Sequence, residues 1–171
     1  MRPFTFDQLP SRIVFDPGAL AQVGDEVDRL GAAHVMLIHD SMTEAAGDAV
    51  VAQLGPRVTL RWNEVAQHVP VELAERARAA ATQHGIDAVV TIGGGSSTGL
   101  AKALALSHHV PIVAVPTTYA GSEQTTIYGL TGGRHKQTGK DPIVLPRVVV
   151  YDPELSLGLP DFVTGPSAFN A

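Results

Sequence analysis

Short aliphatic runs alternating with stretches of helical spacing constrain this chain more than any other feature. Val35–Ile38, residues 88–92, residues 112–115 and Val148–Tyr151 are apolar almost throughout. A strand that is apolar on both faces must be covered on both, as in the parallel sheets of α/β proteins. Val58–Trp62 is a further strand candidate. Leu20, Val23, Val27 and Leu30 recur at helical spacing, with Asp16 as the expected cap, Pro17 in the first turn and Gly31 as the stop. Ser41-Met42-Thr43-Glu44 has the form of a capping box with Ser41 as the cap, and opens a helix through Val50, Val51 and Leu54 to Gly55. Residues 70–84 form a third helical stretch ending at Gly85, and residues 100–106 continue a fourth after the glycines at 93–95.

Strands alternating with helices predict a mainly parallel, Rossmann-like sheet with right-handed crossovers. Residues 117–140 break the pattern. They are rich in Thr, Gly and polar side chains, and read either as a hairpin or as a functional loop over the strand ends. After the last strand, Asp152-Pro153 and Gly158-Leu159-Pro160 look like a linker. The expected organisation is one α/β domain over residues 1–160, with residues 161–171 as a linker and the start of a further unit.

Composition removes several function classes. The 171 residues contain no cysteine, which excludes disulfides, thiolate metal sites and a cysteine nucleophile. The formal net charge is −5 and the 12 Lys and Arg residues are scattered, so no footprint for nucleic acid or an anionic membrane is expected. No apolar run approaches the roughly 20 residues that cross a bilayer, and the first residues do not read as a secretory signal. The expectation is a soluble, cytoplasmic chain. None of the seven histidines has a metal-ligand spacing such as H-E-x-x-H.

Gly93-Gly94-Gly95-Ser96 lies between a strand and a helix, where backbone can approach a phosphate and the helix N–H groups point at it. The same residues also suit a plain tight turn. They fit neither G-x-G-x-x-G with an acidic residue about 20 positions later nor a P-loop. Gly95-Ser96-Ser97-Thr98-Gly99 satisfies G-x-S-x-G, which would make Ser97 a hydrolase nucleophile, although no H-G-G-G segment precedes it. Asp40 follows a strand and is either an acceptor for an adenosine ribose or a turn residue beside the Ser41 cap. The segment Pro116-Thr117-Thr118-Tyr119-Ala120-Gly121-Ser122-Glu123 gathers hydroxyls at a strand's C-terminal end, where open α/β sheets bind ligands, or is an ordinary polar loop.

Together these residues resemble the iron-containing alcohol dehydrogenase family. Gly93-Gly94-Gly95-Ser96 with Ala101-Lys102 is similar to that family's G-G-G-S-x-x-D-x-A-K segment, and the Pro116-Thr117-Thr118 block resembles its second signature. Asp152-Pro153-Glu154-Leu155 with Leu159-Pro160 resembles the third. Within the family the form is nearest the maleylacetate reductases, through T-Y-A-G-S-E at residues 118–123, Lys136-Gln137-Thr138-Gly139-Lys140-Asp141-Pro142 and Leu145-Pro146-Arg147. Two departures stand out. The signature Asp is Gly99, and Asn170 stands where metal-dependent members carry their first metal-ligand Asp.

The resemblance implies reduction of the C=C bond of maleylacetate to 3-oxoadipate by NADH or NADPH, without a metal, in aromatic-compound degradation. It implies that Gly93, Gly94, Gly95 and Ser96 hold the pyrophosphate and Asp40 the adenosine ribose. Thr117, Thr118 and Ser122 fall on the nicotinamide side, Lys136 approaches the nicotinamide ribose, and Tyr119 and Ser122 are substrate candidates. It further implies a homodimer, a small dicarboxylate as substrate, and an all-helical C-terminal domain, absent from these residues, that carries most catalytic groups. The alternatives are a metal-dependent alcohol or polyol dehydrogenase of the same family and a serine hydrolase using Ser97.

Overall fold

The aliphatic runs become neighbouring strands of one sheet. The computed structural model describes residue 9, residues 11–132 and residues 135–169, the side chains of residues 135 and 136 excepted. In chain order the strands are β1 (Arg12–Phe15), β2 (Val35–Ile38), β3 (Val58–Trp62), β4 (Ala88–Gly93), β5 (Ile112–Pro116), β6 (Ile127–Gly132), β7 (His135–Lys140) and β8 (Val148–Tyr151). Six of them form a sheet in the order β1-β8-β5-β4-β2-β3. Every neighbouring pair in it is parallel. The helices are α1 (Val23–Leu30), α2 (Glu44–Leu54), α3 (Val71–Gln83), α4 (Gly95–His108) and α5 (Asp161–Ala168).

The two-residue period of the strands divides the core into two layers. Val35 and Leu37 of β2, Val113 and Val115 of β5 and Val148 and Val150 of β8 pack with α1 and α2. Met36, Ile38, Ile112, Ala114 and Val149 point the other way, onto α3 and α4. Both faces of the central strands are therefore dry, which is why those strands read as unbroken apolar runs. Small residues on the helices (Ala74, Ala77, Ala101, Ala105) let the α3–α4 layer sit close to the sheet.

Chain connectivity moves outward from β2 to β3 and then back to β4 on β2's other side. The strand order thus reverses between β2 and β4, and a ligand crevice is expected at their C-terminal ends. Residues 117–140 resolve into the hairpin alternative: β6 and β7 pair antiparallel from Ile127↔Lys140 to Gly132↔His135. Thr131 N donates to Val69 O at 3.0 Å, and Pro70 bridges to Thr131. The hairpin is thereby fixed to the loop before α3.

Three local expectations are corrected. Arg12–Phe15 was not expected as a strand, and pairs with β8 at the sheet edge. Asp16 does not cap the first helical turn. That role falls to the buried Asp152, whose carboxylate accepts from the N–H groups of Gly18, Leu20 and Glu154, each at 3.1 Å. Ser41 does not cap α2's approach either. Asp40 does, with Thr43 as reciprocal partner. Beyond Pro160, α5 buries no residue, and Phe162 and Phe169 are exposed. No helix among the described residues is long and apolar enough to cross a membrane.

Candidate functional site

The site is built where β4 hands over to α4. Gly93 ends β4 at φ 144, a conformation that L side chains rarely adopt, and Thr117 N donates to its carbonyl at 3.0 Å. Gly94 caps α4 from extended backbone, so its glycine is needed for space: a Cβ there would lie 3.0 Å from Thr118 Cγ2. No side chain caps α4 and its first turn holds no acidic residue. The first N–H groups of a 14-residue helix are therefore available to an anion, aided by the helix dipole. Ser122 stands beside this turn. Its Oγ is buried without a hydrogen-bond partner and lies 4.0 Å from a Cβ built on Gly95.

A cleft of about 790 Å³ opens here, between the glycine turn, the β6–β7 hairpin and the loop before α3. Gly95, Ser96, Ser122, Tyr128, Thr138 and His68 line it. On the other side of the strand ends a cavity of about 540 Å³ is lined by Thr117, Thr118, Tyr119, Tyr151 and Phe15. Another cleft, of about 640 Å³, lies by Arg12, Pro111 and Val148, at the N-terminal ends of the strands. It is remote from the glycine turn.

The structure thus brings Gly93, Gly94, Gly95, Ser96, Thr117, Thr118 and Ser122 to one rim, with the exposed Tyr119 beyond them. Asp40 lies across the crevice at the end of β2. Its Oδ1 accepts from Met42 N (2.9 Å) and Thr43 N (3.2 Å), while Oδ2 makes no hydrogen bond among the described residues. Asp40 is thus a capping residue, which takes up only one of its two oxygens. Lys136 sits on β7, with its side chain outside the described residues, and Asn170 lies outside them altogether.

Ser97 does not occupy an elbow. It lies within α4, 1% exposed, beneath the turn, where a Cβ on Gly93 would meet its Oγ at 2.4 Å. A hydrolytic nucleophile must be exposed at the tip of a strained turn. The hydrolase alternative fails on that geometry.

Several participants were not singled out from sequence. Lys102 is fully buried and its Nζ donates to the carbonyls of Ser122 (2.6 Å), Thr125 (2.7 Å) and Ile127 (2.7 Å). Burial pushes it down to about 8. Glu123, also buried, accepts from Tyr151 Oη at 2.9 Å, and burial pushes that phenol up to about 12. Arg61 donates to His39 Nε2 (2.6 Å) and is paired with Asp48 and Glu44, each at 2.8 Å. His68 and Val69 both adopt positive φ, 62° and 46°. The sequence hinted at two of these, the lysine of the glycine signature and the glutamate that ends T-Y-A-G-S-E.

Among the described residues no three His, Asp or Glu side chains gather to hold a metal ion. The described residues by themselves do not fit a metal.

A family model for iron-containing alcohol dehydrogenase matches residues 10–153. The chain belongs to that family. It is 46% identical over 171 residues to a maleylacetate reductase of Burkholderia cepacia, covering 100% of this chain and 49% of the relative. The crystal structure of maleylacetate reductase from Agrobacterium tumefaciens superposes with a TM-score of 0.92 at 41% identity, over 99% of this chain and 49% of that one. Sulfoacetaldehyde reductase from Bifidobacterium kashiwanohense, solved in complex with NAD+, shares the fold with a TM-score of 0.87 at 21% identity, over 98% of this chain and 51% of that one. The chain spans about half the length of the curated relatives it matches.

Proposed function

We propose that this chain forms the dinucleotide-binding part of an NAD(P)H-dependent maleylacetate reductase. The observation that carries the reading is the uncapped first turn of α4 under Gly94, closed on one side by Thr118 and faced by the unpartnered Ser122 hydroxyl. That is a cradle for a pyrophosphate rather than for a neutral group. The 41–46% identity to maleylacetate reductases supports the choice of reaction.

The residues divide the work by position. The N–H groups of the first turn of α4 hold the pyrophosphate, and the missing side chain at Gly94 gives it room. Asp40 Oδ2 accepts from the adenosine ribose while Oδ1 caps its own turn. Thr117 and Thr118 set the wall between the two cavities, the Ser122 hydroxyl closes the phosphate cradle, and Tyr119 faces the reacting end. A bound reduced nicotinamide supplies the hydride. The substrate's double bond is conjugated to a ketone, so hydride would add to the carbon remote from the ketone while hydrogen-bond donors hold the enolate-like oxygen. A proton donor would then protonate the carbon next to the ketone, and a metal is not required. Asn170, a neutral and weaker ligand than a carboxylate for a hard cation, supports the metal-independent form. The metal-dependent alcohol dehydrogenase is the second reading.

Calorimetric titration of the 171-residue chain with NADH tests the cofactor reading. Saturable binding that Gly94→Val removes supports it; heats no different from dilution overturn it.

A further inference from the structure

Lys102 heads the largest fully buried side chains among the described residues, yet it forms no ion pair there. Lysines are almost never fully buried unless paired, because desolvating an ammonium is costly. Here three main-chain carbonyls take the place of a counter-ion, one for each N–H of the ammonium, with Thr125 Oγ1 a further contact at 3.0 Å. All three carbonyls belong to the stretch from Ser122 to the start of β6. Without the ammonium the carbonyls of Thr125 and Ile127 would be turned into the protein unpaired, and that of Ser122 would keep only the N–H and hydroxyl of Thr125, at 3.2 and 3.1 Å.

Ser122 is gripped in this way through its carbonyl at 2.6 Å, while its hydroxyl, buried and unpartnered, faces the glycine turn. Lys102 belongs to the same helix whose first turn offers the anion-binding N–H groups. One rigid element therefore carries the phosphate donors and, two turns on, the group that fixes the opposing hydroxyl.

We propose that Lys102 is a positioning residue for the dinucleotide, its ammonium holding residues 122–127 so that the Ser122 hydroxyl and the first turn of α4 close on the same phosphate. This rests on the cofactor reading above. The charged and titratable groups around Lys102 are few. Glu123 acts on it from the clamped segment and is bonded to Tyr151; His68 and Tyr128 line the adjoining cleft; Arg78 of α3 is engaged with Ala103 O. Burial brings Lys102 to about 8, whereas Tyr151, at about 12, keeps its proton. As pH rises through 8 the amine loses one of its three donors and one carbonyl loses its partner. Dinucleotide affinity is therefore highest below that point and falls above it.

The test uses the chain's lack of cysteine. Lys102→Met and Lys102→Cys should each weaken NADH binding by about tenfold or more while keeping a cooperative melt, because a lost charged clamp is worth at least that factor. Alkylating the single thiol of Lys102→Cys with bromoethylamine restores an ammonium at nearly the same place, and should restore most of the affinity. Native affinity in Lys102→Met, or a folded aminoethylated protein that does not recover, overturns the proposal. Should both variants fail to fold, the unaltered chain decides. Its NADH affinity should fall about tenfold between about pH 7 and about pH 9.5, and a flat profile overturns the clamp. An unaltered chain that binds no NADH at any pH overturns the cofactor reading, and the clamp with it.

Discussion

A Cβ on Gly99 would stand 2.8 Å from Cγ2 of Val69. The position where the family signature has Asp is thus occupied, in space, by a valine from the loop before α3. That valine is buried and held at φ 46°, directly after His68 at 62°. Positive φ at a β-branched residue costs about 1–3 kcal/mol and persists only where packing over-determines it. Packing on Gly99 and the hydrogen bond from Thr131 N do so here. Restoring the signature by Gly99→Asp should destabilise the chain by about 1–3 kcal/mol, an overpacking cost. Adding Val69→Ala should return part of that loss. Denaturant melts of the single and double variants check this, and strictly additive losses would show that the two residues do not compete for space.

Gly94→Val should abolish dinucleotide binding while leaving the fold intact. The reason is steric alone. Gly94 has extended backbone that any residue adopts, and the demand for a positive φ falls on Gly93. A larger group at 94 would press on Thr118 and fill the space over the α4 N–H groups. Unchanged NADH affinity in a folded Gly94→Val protein would remove the turn from the site.

Asp40 should favour NADH over NADPH, because its free Oδ2 would repel a 2′-phosphate. The nearby cation does not offset this, since Arg61 is already engaged by Asp48 and Glu44. Asp40→Ser is an informative variant. Serine caps nearly as well as aspartate, so the turn survives while the charge goes. The ratio of the two dissociation constants should move toward one. An unaltered ratio would leave Asp40 a capping residue only.

Asp152 holds three main-chain N–H groups, two at the join of β1 and α1 and one in its own turn after β8. Asp152→Ala should cost about 2–4 kcal/mol, since bonds to a charged acceptor are worth more than neutral ones and the orphaned donors are not all reachable by water. Melting at neutral pH measures it. A loss under about 0.5 kcal/mol, the range of surface substitutions, would mean solvent replaces the carboxylate.

The central strands were legible because burial on both faces leaves an unbroken apolar run, as at Val35–Ile38. β1 was not, because an edge strand with exposed Ile13 and Phe15 lacks that signature. The glycine turn and the hydroxyl loop announced themselves by residue type. The partners that hold them did not, because Lys102 reaches carbonyls 20 to 25 positions away and Asp152 reaches back more than 130. Helix caps failed for a related reason: Ser41 fits the motif, but Asp40 beside it is the residue with extended backbone that can turn its carboxylate onto Met42 and Thr43.

The most direct test is catalytic. A chimera in which residues 1–171 replace the matching stretch of the Burkholderia cepacia maleylacetate reductase should oxidise NADH with maleylacetate at an ordinary enzymatic rate of about 1–10³ per second. It should keep that rate after exhaustive chelation. The 171-residue chain alone should bind NADH weakly and show no turnover, its cleft being open to water. A folded chimera that binds NADH but does not consume it with maleylacetate, or that stops on chelation and resumes with added iron or zinc, would contradict the account.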